Sequence, residues 1–515
     1  VGSTLPSLGD SASDDFSVGD EKRVGEQIMR EVVRDPQYLD DPVLLAYVQS
    51  LWQPLVTSAR QLGQIGADTS AAFSWDVFLV RDGSVNAFAL PGGHVGVHLG
   101  LIAMTTSADE LASVLAHELS HVTQRHIARS IGSAKRIGMV GLAAMLLGVL
   151  VASRAGSADA AQAAVVGGQA ALAQGQLNFS RDMEREADRI GFGVLGGAGF
   201  APAGMASMFE KLEQANRLND SGAYPYLRSH PLTTERIGEA RSRAGDARRA
   251  PATGGAAPPS PVLHALMRER AQVLIDTGAG TLRRLQEGGA SEAASPSAGP
   301  VAPAAAAATV ALATAYRQAL ASAWLRDAPA TRTALAALRR RADAMSLDLT
   351  TQRALQALAV EAPLVLGDTA AAEAALPPLV ADGGRVATLL QAQVAVAQAR
   401  SPNGTPSPDA AAAAVRRSTE ALQVWTADHP QDAAAWTQLG ETADAAGQPL
   451  RAQRARAEAR AASGDLAGAV DLLRATQRGA RVGGAEMIEL QVIDARLRAL
   501  DRELRERRAE AKNGR

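Results

Sequence analysis

His117 and His121 stand four residues apart with Glu118 beside the first, inside the stretch SADELASVLAHELSHVTQRHIARS from Ser107 to Ser130. Residues four apart share one face of a helix, so the two imidazoles can aim at a single ion while Glu118 sits one residue round. Zinc fits that H-E-x-x-H pattern best. Three protein ligands leave the fourth position to water, whose pKa such an ion lowers to ~7, and Glu118 is placed to take its proton for attack on a carbonyl. That is hydrolytic chemistry, most simply peptide hydrolysis. Two ligands do not complete such a site, so a third must come from elsewhere.

A carboxylate from a separate helix is the usual completion, and NFSRDMEREADRIGFGV, Asn178 to Val194, is dense in acids at helical spacing. Glu184, Glu186 and Asp188 are the candidates. Glu184 and Asp188 at i, i+4 offer one carboxylate for a metal and one for a histidine N–H behind it. Arg181, Arg185 and Arg189 interleave with these acids, so a solvated charged face explains the spacing equally well. His230 precedes Pro231 in YPYLRSHPLTTER and reads by spacing as a loop histidine. His94 and His98 follow a turn and His126 lies five residues past His121, so none of the three is an obvious ligand.

The elements that must position these groups follow from capping and period. Ser107 and Glu110 form a capping box that starts the metal helix. FSWDVFLV at Phe73–Val80 and NAFALPGGHVGVH at Asn86–His98 read as strands, the second turned by Pro91-Gly92-Gly93. Asn86, Ala87 and Phe88 are the candidate edge for an extended peptide, a plain structural hairpin being the alternative. Ahead of them a lead-in, Val1 to Asp20, precedes helices expected at about Glu21–Val33 and Asp41–Arg60, the latter kinked or broken at Pro54. Ile137 to Ser153 is uncharged, and with the Ala/Gly-rich 160–173 it reads as a buried or interfacial hairpin rather than a membrane span, which leaves room for peripheral membrane contact.

The chain has 515 residues, 47% hydrophobic content, 3% aromatics and a net charge of −2. That gives ample core for two or three domains, favours closely packed helices, and offers no electrostatic case for nucleic acid. The absence of Cys excludes disulfides and thiolate metal sites and leaves the compartment open. A Pro/Gly/Ala linker at 251–260 divides a domain at 1–250 from a helical region at 261–515, itself interrupted by a low-complexity insert at about 288–308 that is expected to be disordered. Near the end Trp436, Leu439, Gly440 and Ala443 match the first helix of a tetratricopeptide repeat, and Gly447 and Gly464 punctuate helices at half that repeat. The fold class read here is mainly α (α+β): a small sheet with the metal helix, then a TPR-like α-solenoid offering a concave binding surface.

Taken in order, NAFALPGG, HELSH, FSRDMEREAD and HPLTTERI resemble the gluzincin metallopeptidases of the HtpX, Oma and CAAX-protease type. The resemblance implies a zincin-like metallopeptidase domain binding one Zn²⁺ per chain through His117, His121 and Glu184, the Glu that opens E-x-x-x-D, with Asp188 in support. It also matches His230, Pro231 and Arg236 to the family's H-P-x-x-x-x-R element, which sets His230 and Arg236 beside Glu118 among the catalytic groups and lets the histidine approach zinc or substrate. The apolar run at Ile137 corresponds to the family's region near the active site, in keeping with a lid. With its repeats, the whole chain is similar to periplasmic metalloprotease–chaperones that act on outer-membrane β-barrel assembly. This implies export with a signal peptide removed before Val1, unfolded or misassembled envelope proteins as substrates, and the assembly machinery as a partner of the repeats. The rival of another class is a chaperone or scaffold whose repeats do the work while the peptidase site stays latent.

Overall fold

The computed structural model describes residues 16–132, 180–218, 224–247, 259–288, 303–381, 383–401, 407–479 and 486–513. The apolar segments at 137–153 and 160–173 lie outside them, as do residues 1–15 of the lead-in and most of the linker and insert. Among the described residues no helix is long and apolar enough to cross a membrane. The fold is mainly helical with one small sheet.

Helix α1 (Val18–Val32) starts within the expected lead-in and buries Val24, Ile28 and Val32 against Phe78, Val80, Leu90 and Ala128. Asp41 caps α2 (Pro42–Gln61) by accepting from the Leu44 N–H, and Pro42 sits where a missing N–H costs nothing. Of the kink or break expected at Pro54, the break does not occur: α2 runs through it. Its stripe Leu44, Val48, Leu51, Trp52 and Leu55 is fully buried, and at about 1.5–3 kcal/mol per large apolar side chain this outweighs the ~3 kcal/mol that a helical proline costs.

After a short helix α3 (Ala67–Ala72), the sheet runs in the order β1-β2-β4-β3. Its strands are β1 (Tyr38–Leu39), β2 (Asp76–Val80), β3 (Ala87–Leu90) and β4 (His94–His98). Strand β2 pairs parallel with β4, and β3 closes antiparallel on β4 through the Pro91–Gly93 turn, where Gly92 and Gly93 take φ of 82° and 88°. L side chains rarely adopt that backbone, so the two glycines make the hairpin. Strand β3 is therefore an edge. The two-residue β1 carries too little pattern to be read from sequence.

A short α4 (Leu99–Met104) leads to the metal-motif helix α5 (Ala108–Thr123). Ser107 Oγ accepts from the Glu110 N–H as expected, while the Glu110 carboxylate accepts from Thr106 N–H and from Lys211 rather than returning to Ser107. The helix does not run the length of the Ser107–Ser130 stretch. It stops instead at Gln124, Arg125 takes the left-handed φ of 51°, and α6 (His126–Gly132) starts in a new direction.

Helices α7 (Arg181–Gly197), α8 (Ala203–Leu218), α9 (Tyr226–Ser229), α10 (Thr234–Ala247) and α11 (Pro261–Ile275) complete the first compact unit, which runs through Asp276. That moves the boundary past the expected 251–260. Helix α11 is tied to the core by polar contacts invisible to composition: Arg270 pairs with buried Asp41 at 2.7 Å, and His264 meets Tyr47 Oη at 2.5 Å and the Thr105 carbonyl at 3.1 Å.

The second unit is all-helical. Its helix Pro303–Trp324 begins inside the expected insert, because the run Ala304–Ala308 has the highest helix propensity of any residue type. Helices Ala433–Ala445 and Pro449–Ala462 pack as a hairpin turned at Gly447 (φ 67°), with Trp436 and Leu439 buried and Gly440 lying close to Ala452 and Arg456. Asp432 caps the first of them and pairs with Arg385 at 2.7 Å.

Candidate metal centre

Helix α5 puts His117 and His121 on one buried face, with their Nε2 atoms 3.0 Å apart. Helix α7, capped by Ser180, crosses close to α5 because Gly191 lies where a Cβ would stand 3.1 Å from the Ala116 carbonyl oxygen. A Cβ there would push the two backbones apart by a few tenths of an ångström. This brings Glu184 to the histidines: Oε2 is 3.4 Å from His117 Nε2 and Oε1 is 3.4 Å from His121 Nε2. From the turn after α9, His230 Nδ1 reaches within 3.0 Å of Glu184 Oε1 and 3.3 Å of His117 Nε2. Donor atoms of His117, His121, Glu184 and His230 all lie within 4.8 Å of one another, and all four residues are buried.

Around this quartet stands a shell of charge. Asp188, one turn on from Glu184, has Oδ1 2.9 Å from His117 Nδ1, though off the line of a good hydrogen bond. Arg236 donates to both Asp188 oxygens at 2.6 and 2.9 Å and to the Pro231 carbonyl at 2.8 Å, and its Nη1 is 2.8 Å from Glu184 Oε2. Expected among the catalytic groups, Arg236 is buried and engaged with these carboxylates and that carbonyl, so its contacts are those of a group that positions Glu184 and Asp188. Glu118 is fully buried, with Oε1 3.5 Å from His230 Nε2 and the Ala89 N–H of β3 close to its carboxylate.

The electrostatics follow from burial against these pairings. Burial pushes the Glu118 carboxyl above the ordinary range, the His230 and His117 rings only partly offsetting it. Burial works against a charged His117, but Asp188 and Glu184 outweigh it and push the ring up to about 10. His121 goes the other way, held well below its usual value by burial. Burial opposes ionisation of Glu184, yet His230, His117 and His121 together hold it far below the carboxylate range. Two imidazoles and an ionised carboxylate converging in a buried site beside the Glu118 carboxylate are a donor set that a divalent cation satisfies.

Two functional neighbours escaped sequence reasoning. Tyr226 stacks on His230 with ring centroids 4.6 Å apart, and its buried hydroxyl has no partner among the described residues. His126 meets His121, Nδ1 to Nδ1, at 2.8 Å, and its Nε2 lies 3.0 Å from Glu186, the third acid of the α7 cluster. The H-P dipeptide flagged His230, but nothing in the spacing marked Tyr226, and a continuous helix would have carried His126 away. His94 and His98 lie in the sheet, against Asp76 at 2.6 Å and Ser84 at 3.0 Å, outside the quartet. Asn86, Ala87 and Phe88 lie at the start of edge strand β3, and the Asn86 Oδ1 is buried without a partner among the described residues.

An H-E-x-x-H helix, a small sheet with a free edge beside it, and a glutamate arriving from a second helix define a metallopeptidase domain of the zincin type. Residues 48–244 match the model of Peptidase family M48, the family this region of the chain is similar to. Similar proteins include the beta-barrel assembly-enhancing protease of Escherichia coli (strain K12), 36% identical over 245 residues, 48% of either chain. The protein of that name from Yersinia pestis is 35% identical over 240 residues, 47% of either chain. The mitochondrial metalloendopeptidase OMA1 of Schizosaccharomyces pombe is 30% identical over 229 residues, 43% of this chain and 60% of that one. The chain spans about half the length of the beta-barrel assembly-enhancing proteases it matches.

Proposed function

We propose that the chain is a zinc-dependent endopeptidase that hydrolyses peptide bonds of misfolded or stalled outer-membrane proteins in the periplasm. The buried quartet beside the fully buried Glu118 carboxylate is the observation that carries this reading. His117, His121 and Glu184 hold one zinc, and Asp188 and Arg236 orient the first and last of these ligands. Bound zinc supplies the Lewis acidity that makes water acidic enough to act as a nucleophile near neutral pH. Glu118, its basicity raised by burial, accepts the proton and passes it to the leaving amine. The edge from Asn86 through Phe88, at the start of β3, pairs with an extended substrate by main-chain hydrogen bonds. The relatives' name, beta-barrel assembly-enhancing protease, supports a setting in β-barrel assembly, and the proposal extends that to envelope substrates, a chaperone role and the assembly machinery as a partner of the helical repeats.

The latent-site reading draws on His230, whose ring already stands among the ligand atoms and can fill the position that water needs. Cleavage of unfolded casein separates the two. The wild type is expected to cut, and Glu118→Gln to retain zinc and fold while losing ~10² to 10⁴-fold in rate. A wild type that binds zinc, captures unfolded protein and never cleaves it favours the scaffold.

A further inference from the structure

On an uninterrupted helix a side chain five residues past His121 would point roughly 140° from the metal face, at 3.6 residues per turn. The break at Arg125 removes that separation. Arg125 takes its left-handed φ of 51° while its side chain is held by α1: Nε donates to buried Glu21 at 2.5 Å and Nη2 to the Phe16 carbonyl at 2.6 Å. After this turn His126, itself fully buried, lies against His121 rather than away from it. Glu186 Oε2 then lies 3.0 Å from His126 Nε2 and 2.8 Å from Arg129 Nη1.

The chemistry of this row settles where its protons sit. An ionised carboxylate only accepts, so His126 Nε2 carries the hydrogen it gives to Glu186. Neutral His126 is then left with a lone pair on Nδ1, and the 2.8 Å contact requires His121 to donate from its own Nδ1–H. His121 Nε2, facing His117 and Glu184, is thereby the bare nitrogen a metal needs.

We propose that His126 is a positioning residue: anchored by Glu186 and Arg129, it locks His121 in the Nδ1–H tautomer and presents Nε2 to the metal. A ring partner on a ligating histidine raises its basicity and fixes its orientation, and losing such a partner typically costs ~10 to 100-fold in metal affinity. The inference rests on the metal-binding reading above, and its test separates the two.

Full-length protein, labelled with ¹⁵N-histidine, is compared as wild type, His126→Asn and His126→Leu. Asparagine keeps an acceptor near the position of Nδ1; leucine removes it. Zinc affinity, measured by competition with a chelator, is expected to fall ~10 to 100-fold in His126→Leu and to return to within a few-fold of wild type in His126→Asn. Ring ¹⁵N shifts of the metal-free protein are expected to show His121 protonated at Nδ1 in wild type and His126→Asn, with Nε2–H appearing in His126→Leu. If the leucine variant does not fold, Glu186→Ala at the protein surface takes its place and is expected to weaken zinc binding at least threefold. A folded His126→Leu with wild-type affinity overturns the proposal, as does a metal-free wild type with His121 protonated at Nε2, or an unchanged Glu186→Ala where it is the variant used. A wild type that binds no zinc sinks the metal reading instead, and the shifts of the metal-free protein still decide the tautomer.

Discussion

Glu184 and His230 reach the same space from different elements, and their substitutions separate ligand from gate. Glu184→Ala is expected to lose zinc and activity together, because it removes one of three ligands and leaves Arg236 buried with only Asp188 and a carbonyl as partners. Metal content of the purified variant checks this, and full occupancy with full activity would remove Glu184 from the ligand set. His230 is expected to gate. Its ring is within 3.3 Å of His117 Nε2, so His230→Ala should open a ligand position to water and raise the cleavage rate at unchanged zinc content. A loss of ~10² to 10³-fold would make it an oxyanion donor instead, and an unchanged rate would leave it an ordinary buried histidine. The residue types in H-E-x-x-H were enough to predict the pair on α5. Choosing Glu184 over Glu186 needed the motif resemblance, since both are glutamates on one helix, and the structure sends the second to His126 and Arg129.

The elements hold these groups by ties at their ends. Glu110 begins α5 and accepts from Thr106 N–H, Ser207 Oγ at 2.6 Å and Lys211 at 2.6 Å while buried. Burial works to raise its carboxyl, but Lys211 and Ser207 outweigh it and hold it below 4.5. A depressed folded-state pKa contributes stability that is fully present above the unfolded value and lost as pH falls through the folded one. Glu110→Gln should therefore cost about 1–3 kcal/mol at neutral pH, with the difference from wild type shrinking as pH falls through the depressed folded-state value. Urea unfolding at pH 7 and at pH 3 measures it, and a gap that persists unchanged into acid would refute the assignment. While the Glu110 carboxylate went to Thr106, Ser207 and Lys211 instead, the Ser107 half of the capping box was legible because Ser and Glu three residues apart carry a local mechanism. The break at Arg125 was not, since the side-chain ties that hold it come from Glu21 and Phe16, more than a hundred residues away in the chain.

For the whole molecule, the polar ties of α11 set where the peptidase unit can be cut. A chain ending after Asp276 is expected to fold and bind zinc. One ending at 260 strips Arg270 from Asp41 and His264 from Tyr47, and breaking a buried ion pair at one partner costs about 3–5 kcal/mol. Thermal unfolding of the two fragments decides this, and equal midpoints would return the boundary to the linker. Sequence alone determined what depends on neighbours in the chain: the i, i+4 histidines, the capped helix start, the Pro-Gly-Gly hairpin and the Ala-rich helices of the second unit. Tertiary structure alone decided that α11 belongs with the peptidase unit, that Tyr226 stacks on His230, and that His126 turns back on His121. Each of these is a contact between residues whose partners lie in another element or across a backbone break, where spacing carries no information about distance.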